Sequence, residues 1–189
     1  KPARGCLLVE QAAFPAPLQG PANAQQGLDK MATAKNSNQS GQTGAPRVKG
    51  LVLAGYGLNC DLETTHALNL AGAQARAVHV NDLVTGKDSL ARYHILVFDG
   101  GFAWGDDHGA GVLLATHLRN HLGKEIRAFL KRGGLVLGIC NGFQALVNLG
   151  LLPMLGGKWD RSVALAANDC GNFQDRWVEM LVDENSPCL

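Results

Sequence analysis

From Val48 onward, short apolar runs alternate with longer mixed segments at the spacing of strands and helices. Val48 to Ala54 is almost wholly apolar and short, the signature of a strand buried on both faces. Gly55-Tyr56-Gly57 ends it. Asn59 then stands as the N-cap of a helix through Ala71, which Gly72 closes. Ala75 to Val80 predicts a second strand, and Asn81 to Ala91 a loop or short helix. His94 to Phe98 predicts a third strand, stopped at Gly100-Gly101. Helical spacing returns from Asp107 to Leu130, with a candidate break at Gly123. Gly134 to Gly138 reads as a fourth strand and Asn141 to Leu149 as a short helix, with Gly150 as its stop and Pro153 beyond. Ser162 to Ala166 and Arg176 to Val182 carry strand patterning and would pair antiparallel at a sheet edge. Strands separated by helical segments of this length require right-handed crossovers. The pattern therefore predicts an α/β fold, a three-layer sandwich around a mainly parallel sheet.

Upstream of residue 48 the pattern dissolves. Residues 5–10 read as a lone strand, the tail of an upstream domain. Residues 11–47 are rich in Ala, Gln, Gly, Pro, Asn and Ser, and bury too little apolar surface to offset the entropy of ordering. The expected organisation is thus a tail and flexible linker over 1–47 and one domain over 48–189. The chain opens on Lys1 rather than Met, which reads as a fragment boundary or a processed end. Glu10 interrupts the apolar patch at Cys6-Leu7-Leu8-Val9 before a signal-peptide core forms.

Composition narrows the function classes. A net charge of +1 supplies no basic field for nucleic acid, and 6% aromatic residues supply no stacking platform for single strands. No apolar run approaches the length that crosses a bilayer. Five widely spaced cysteines with no CxxC pair fit a reduced, cytoplasmic protein better than a disulfide framework.

The chemistry concentrates at Gly138-Ile139-Cys140-Asn141-Gly142. Gly-x-Cys-x-Gly between an apolar strand and a helix is a nucleophile elbow in cysteine form. The nucleophile occupies a tight turn where flanking side chains would strike the neighbouring strand or helix. The turn lifts the sulfur above the carboxyl edge of the sheet, where open α/β folds bind ligands. A helix N-terminus favours a thiolate, the reactive form. The Asn141 N–H then points where an oxyanion develops. A lone cysteine is more often a packing residue; here strand, glycines and helix all stand in the order an elbow needs.

Two further glycine-bearing loops follow strands. Asp99-Gly100-Gly101-Phe102-Ala103-Trp104-Gly105-Asp106 follows the third and offers a second oxyanion N–H at Gly101. Gly55-Tyr56-Gly57-Leu58-Asn59-Cys60-Asp61 follows the first, and fits a plain strand-to-helix turn as well as a direct role; Cys60 reads as packing. The elbow, these loops and the second strand end His79-Val80-Asn81-Asp82-Leu83 together resemble the glutaminase of the phosphoribosylformylglycinamidine synthase family, a class I glutamine amidotransferase. Asn141-Gly142-Phe143-Gln144 makes the elbow more specific, and Asn168, Gly171, Phe173 and Arg176-Trp177-Val178 match in order. The resemblance spans about residues 48–188.

That resemblance implies a flavodoxin-like amidotransferase fold. It implies glutamine hydrolysis to glutamate and ammonia through a thioester on Cys140, with Gly101 and Asn141 as oxyanion donors and Gln144 and Phe102 at the bound glutamine. It implies a formylglycinamidine ribonucleotide synthetase domain or subunit as partner, which receives the ammonia for purine biosynthesis. ATP and Mg2+ belong to that partner, and no cofactor or metal is expected in this domain, nor any nucleic-acid or membrane partner.

The sequence departs from the family in three places. Asp99 stands where Pro is usual, and Ala103-Trp104 replaces Ser followed by Tyr or Phe. The family's His/Glu pair should follow the elbow, yet all six histidines (66, 79, 94, 108, 117 and 121) precede Cys140. Departing ammonia must be protonated and a water activated, work for a group titrating near neutrality and worth about 10²–10⁴-fold. His108, just after the oxyanion loop, and His79, at a strand end, are the candidate substitutes. The reading implied is a C-terminally truncated glutaminase portion, nearly inactive alone. Two alternatives fit the same residues: another cysteine hydrolase of this fold, or a non-catalytic domain that docks a synthetase.

Overall fold

The structure, a computed structural model, describes the backbone of Leu7–Glu10 together with residues 47–179 and 181. The strands are β1 (Leu7–Glu10), β2 (Lys49–Ala54), β3 (Gln74–His79), β4 (Ile95–Phe98) and β5 (Leu135–Ile139). The helices are α1 (Asp61–Leu70), α2 (Val80–Val84), α3 (Val112–Lys131) and α4 (Asn141–Leu149). All five strands are parallel, in the order β1-β5-β4-β2-β3. The strand expected at 5–10 is therefore no lone tail: it pairs with β5, Leu7 against Val136 through Glu10 against Ile139. The linker expected over 11–47 lies outside the described residues except for Arg47.

The crossover from β2 to β3 runs toward one edge of the sheet, and those from β3 to β4 and β4 to β5 run the other way. Right-handed crossovers in opposite directions place their helices on opposite faces. Side-chain parity agrees. Leu51, Leu53, Leu96, Phe98 and Val136 join one buried cluster with Leu114, Leu118, Ile126 and Phe129 of α3 and Leu146 and Leu149 of α4. Each such fully buried side chain contributes about 1.5–3 kcal/mol. Val52 and Val97, equally buried, point to the other face. There α1 approaches so closely that a Cβ on Gly50 would lie 3.2 Å from Leu68 Cδ1. The three expected layers are present.

Several boundaries differ from the sequence expectation. Cys60, not Asn59, occupies the N-cap of α1. Left-handed backbone at Asp106, His108, Gly109 and Gly111 delays α3 from Asp107 to Val112. Gly123 does not break α3, because a helical glycine costs only about 1 kcal/mol and the apolar stripe Leu118-Leu122-Ile126-Phe129 runs straight past it. No strand forms over Ser162–Ala166 or the described residues 176–179 and 181 of Arg176–Val182. Alternation supports a strand only where another strand accepts its hydrogen bonds, and every residue from 160 to 179 is exposed without one.

Candidate active site

The carboxyl ends of β2, β4 and β5 deliver three loops to one place, and glycine sterics bring them together. Cys140 occupies the turn between β5 and α4 with φ 50° and ψ −113°, a backbone conformation L-residues adopt only when the surroundings impose it. A Cβ on Gly142 would run into the carbonyls of Phe98 and Asp99, and one on Gly138 into Leu146 and the Phe143 backbone. Both glycines of the elbow are therefore required by packing. Cys140 is exposed and caps the N-terminus of α4. Asn141 is the first helical residue, so its N–H has no partner within the helix.

Gly101, the expected second donor, has φ 142°, and a Cβ there would collide with the carbonyl of Gly57. Around it the loops after β2 and β4 are zipped. Asn59 N–H donates to Gly100 O at 3.1 Å, Phe102 N–H to Gly57 O at 2.9 Å and Trp104 N–H to Tyr56 O at 2.6 Å. The Tyr56 and Trp104 rings stack 4.0 Å apart, and the Tyr56 hydroxyl donates to Asn81 Oδ1 at 2.5 Å, which ties in the end of β3. Phe102, expected at the substrate, is 65% exposed beside the site.

The side chain of Asn141 has a function that sequence reasoning missed. It is buried and joins the elbow to the oxyanion loop: Oδ1 accepts from Ala103 N–H at 3.1 Å, and Nδ2 donates to Asp106 Oδ1 at 2.7 Å and Gln144 Oε1 at 3.1 Å. Gln144, expected to seat glutamine, thus spends its amide oxygen on Asn141. A polar residue at the buried first position of α4 was the only signal available for this clamp.

Two groups under the site carry unusual electrostatics. Asp99 is fully buried and neither carboxylate oxygen has a hydrogen-bond partner. Burial pushes its pKa up to about 7, with Asp61 and Glu63 adding to the rise. The amides of Asp99 itself and Cys60 pull the other way, without the alignment of a hydrogen bond. Cys60, read from sequence as packing, lies against Gly100 on the same side as Cys140. Burial raises its thiol pKa, as do Asp99, Glu63, Cys140 and Asp61.

The histidines distribute as follows. His108 is largely exposed, 3.9 Å from Asp107. His79 accepts from Asn81 N–H through Nδ1 at 3.1 Å and packs near Tyr56. His117 packs by the Tyr56–Trp104 stack, where burial and then His121 lower its pKa. Among the described residues no histidine hydrogen-bonds to Cys140, and no group of three or more His, Cys, Asp or Glu is placed to hold a metal ion. No helix among them is long and apolar enough to cross a membrane.

Known proteins resemble this chain in sequence and fold. The CobB/CobQ-like glutamine amidotransferase domain family matches residues 47–189. A phosphoribosylformylglycinamidine synthase subunit PurQ of Dehalococcoides mccartyi is 45% identical over 145 residues, which are 76% of this chain and 56% of that protein. A PurQ subunit of Methanococcus maripaludis is 45% identical over 142 residues, 75% of this chain and 52% of that protein. The chain thus spans about half the length of the curated relatives it matches. A solved structure described as PurLQS from Thermotoga maritima aligns with TM-score 0.55 and 32% identity, covering 70% of this chain and 54% of that one. With three zipped loops and a strained cysteine at the carboxyl edge of a parallel sheet, the chain belongs to the CobB/CobQ-like glutamine amidotransferase domain family.

Proposed function

We propose that this chain is the glutaminase portion of a phosphoribosylformylglycinamidine synthase, with Cys140 as its nucleophile. The observation that carries this is the Cys140 turn itself, a left-handed cysteine at a helix N-terminus with glycines that packing forbids replacing. Cys140 Sγ attacks the side-chain amide carbon of glutamine. The carbonyl oxygen takes up negative charge between the N–H groups of Asn141 and Gly101. Collapse expels ammonia and leaves a glutamyl thioester, which water hydrolyses to glutamate. Phe102 forms a wall of the glutamine site. The ammonia passes to a synthetase domain or subunit, which uses ATP and Mg2+ to aminate formylglycinamide ribonucleotide in the cytoplasm. The names of the PurQ relatives and the PurLQS structure support this partner. Acid/base assistance to the second half of the cycle has no histidine at the sulfur among the described residues, so turnover by these 189 residues alone is expected to be very slow.

Covalent labelling tests the reading without requiring turnover. A glutamine-shaped chloroketone should modify Cys140 in one equivalent, compete with free glutamine and fail on Cys140→Ala. Modification of Cys140 that glutamine does not slow favours another cysteine hydrolase of this fold. A folded protein that does not label favours a non-catalytic docking domain.

The Asn141 clamp supplies a second measurement. Asn141→Ala frees the oxyanion loop from the elbow, and displacement on the order of 1 Å costs about 10²-fold in rate. Labelling of Cys140 should slow by that factor. Stability should fall by about 1–3 kcal/mol, because the Ala103 N–H loses its acceptor. An unchanged labelling rate would show that the loop holds its position without Asn141.

A further inference from the structure

Two free cysteines converge on Gly100. A Cβ placed on that residue would lie 3.3 Å from Cys60 Sγ, 3.8 Å from Cys60 Cβ and 3.6 Å from Cys140 Cβ. A side chain at this position would stand against both cysteines, and glycine supplies none. Each cysteine caps a helix, Cys60 at α1 and Cys140 at α4, so both are fixed by the ends of rigid elements. The bond from Asn59 N–H to Gly100 O at 3.1 Å holds the start of α1 against the same loop. A disulfide needs its Cβ atoms about 3.5–4.5 Å apart, and both of these Cβ atoms lie within 3.8 Å of the one point beside Gly100. Exposure differs usefully: Cys140 faces solvent while Cys60 is half-buried.

We infer that Cys60 and Cys140 form a reversible disulfide in response to hydroperoxides, with Cys140 oxidised first and Cys60 the resolving thiol. The inference rests on the reading of Cys140 as the reactive nucleophile. The Cys140 thiolate attacks one peroxide oxygen; the S–O bond forms as O–O breaks, and the leaving hydroxide (or alkoxide) takes a proton. Sulfur is oxidised by two electrons and the peroxide is reduced. Cys60 sulfur then displaces oxygen from the Cys140 sulfenic acid; S–S forms, S–O breaks, and the hydroxyl leaves with the thiol proton as water. The product masks the nucleophile and spares it from further oxidation until a thiol reductant restores both cysteines.

The surroundings set the tempo of the second step. Cys60 faces Asp61 and Glu63 from α1, Asp99 from the end of β4 and Cys140 from the elbow, and all four add to burial in disfavouring its thiolate. Resolution therefore accelerates as pH rises.

Peptide mapping of the full chain after hydrogen peroxide treatment tests this. The expected product is a Cys60–Cys140 linked peptide that disappears on reduction, together with loss and recovery of chloroketone labelling. In Cys60→Ser, peroxide should still abolish labelling, but Cys140 should be trapped by dimedone where it is present and, without it, advance to sulfinic acid that reductant does not reverse. Pairing of Cys140 with the exposed Cys170 or between molecules, or equal over-oxidation in wild type and Cys60→Ser, would overturn the inference. Untreated protein that never labels at Cys140 would instead remove the nucleophile reading beneath it. Protein that labels normally but yields no Cys60–Cys140 peptide removes the disulfide alone.

Discussion

Gly142→Ala is expected to destabilise the domain by about 3 kcal/mol or more and to abolish glutamine-competed labelling of Cys140. Overpacking a core side chain typically costs 1–3 kcal/mol because neighbouring side chains shift. Here the new methyl would meet the backbone carbonyls of Phe98 and Asp99, which end the central strand β4 and cannot rotate away. Relief would require α4 to lift from β4, and α4 carries Cys140 at its first turn. Gly123→Ala is the matching control. It lies within α3 with open space around it, so alanine should stabilise by about 0.5–1 kcal/mol through helix propensity. Urea unfolding of the two variants checks both signs. If Gly142→Ala matches wild type in midpoint and labelling rate, the close fit of α4 on β4 is not what holds the elbow.

The contrast between these glycines shows what a sequence discloses. Gly123 reads as a candidate helix break and Gly142 as an elbow glycine; in the structure the first is spare and the second is fixed by a strand over forty residues earlier. Strands β2 and β4 were legible because burial on both faces demands an unbroken apolar run, and β5 because its short run is equally apolar; a glycine lies at or near the end of each. Cys140 was legible because the constraint on an elbow is local: glycines two residues either side, strand before, helix after. The start of α3 was not, since four left-handed residues between Asp106 and Gly111 occupy what periodicity reads as its first turn. The strands expected within 161–182 rested on alternation alone, and alternation cannot supply a pairing partner. Asn141 illustrates the same limit within the site. Its partner Ala103 lies 38 residues away, so its side chain reads as a flanking amide until the loops are brought together. Cys60 was assigned to packing for want of an elbow of its own, while its position depends on Gly100, forty residues on.

Asp99 is the residue whose surroundings sequence could least disclose, and it predicts a change of stability with pH. In the unfolded chain it ionises near the ordinary value of 3.8; in the folded protein burial moves this to about 7. Between those values the folded state holds a proton that the unfolded state has released. Raising the pH through this window therefore favours unfolding, and above pH 7 the loss is complete. At about 1.4 kcal/mol for each pH unit, the cost reaches at most about 4 kcal/mol. Asp99→Asn keeps the shape and removes the charge. Its stability relative to wild type should rise between pH 4 and 8 by up to that amount, with the difference flat below pH 4. Other groups drop out of the comparison, since both proteins share them. His117, whose pKa burial lowers, works in the opposite direction. Asp88, which burial raises but the Tyr93 hydroxyl, the Ser89 amide and Arg76 together lower, loses its contribution only in acid. Thermal unfolding of both proteins from pH 4 to 8 supplies the measurement, and parallel curves would mean that water or a counter-charge reaches Asp99. A buried Asp whose oxygens lack hydrogen-bond partners lowers stability at neutral pH, and its charge disfavours the thiolate of Cys60.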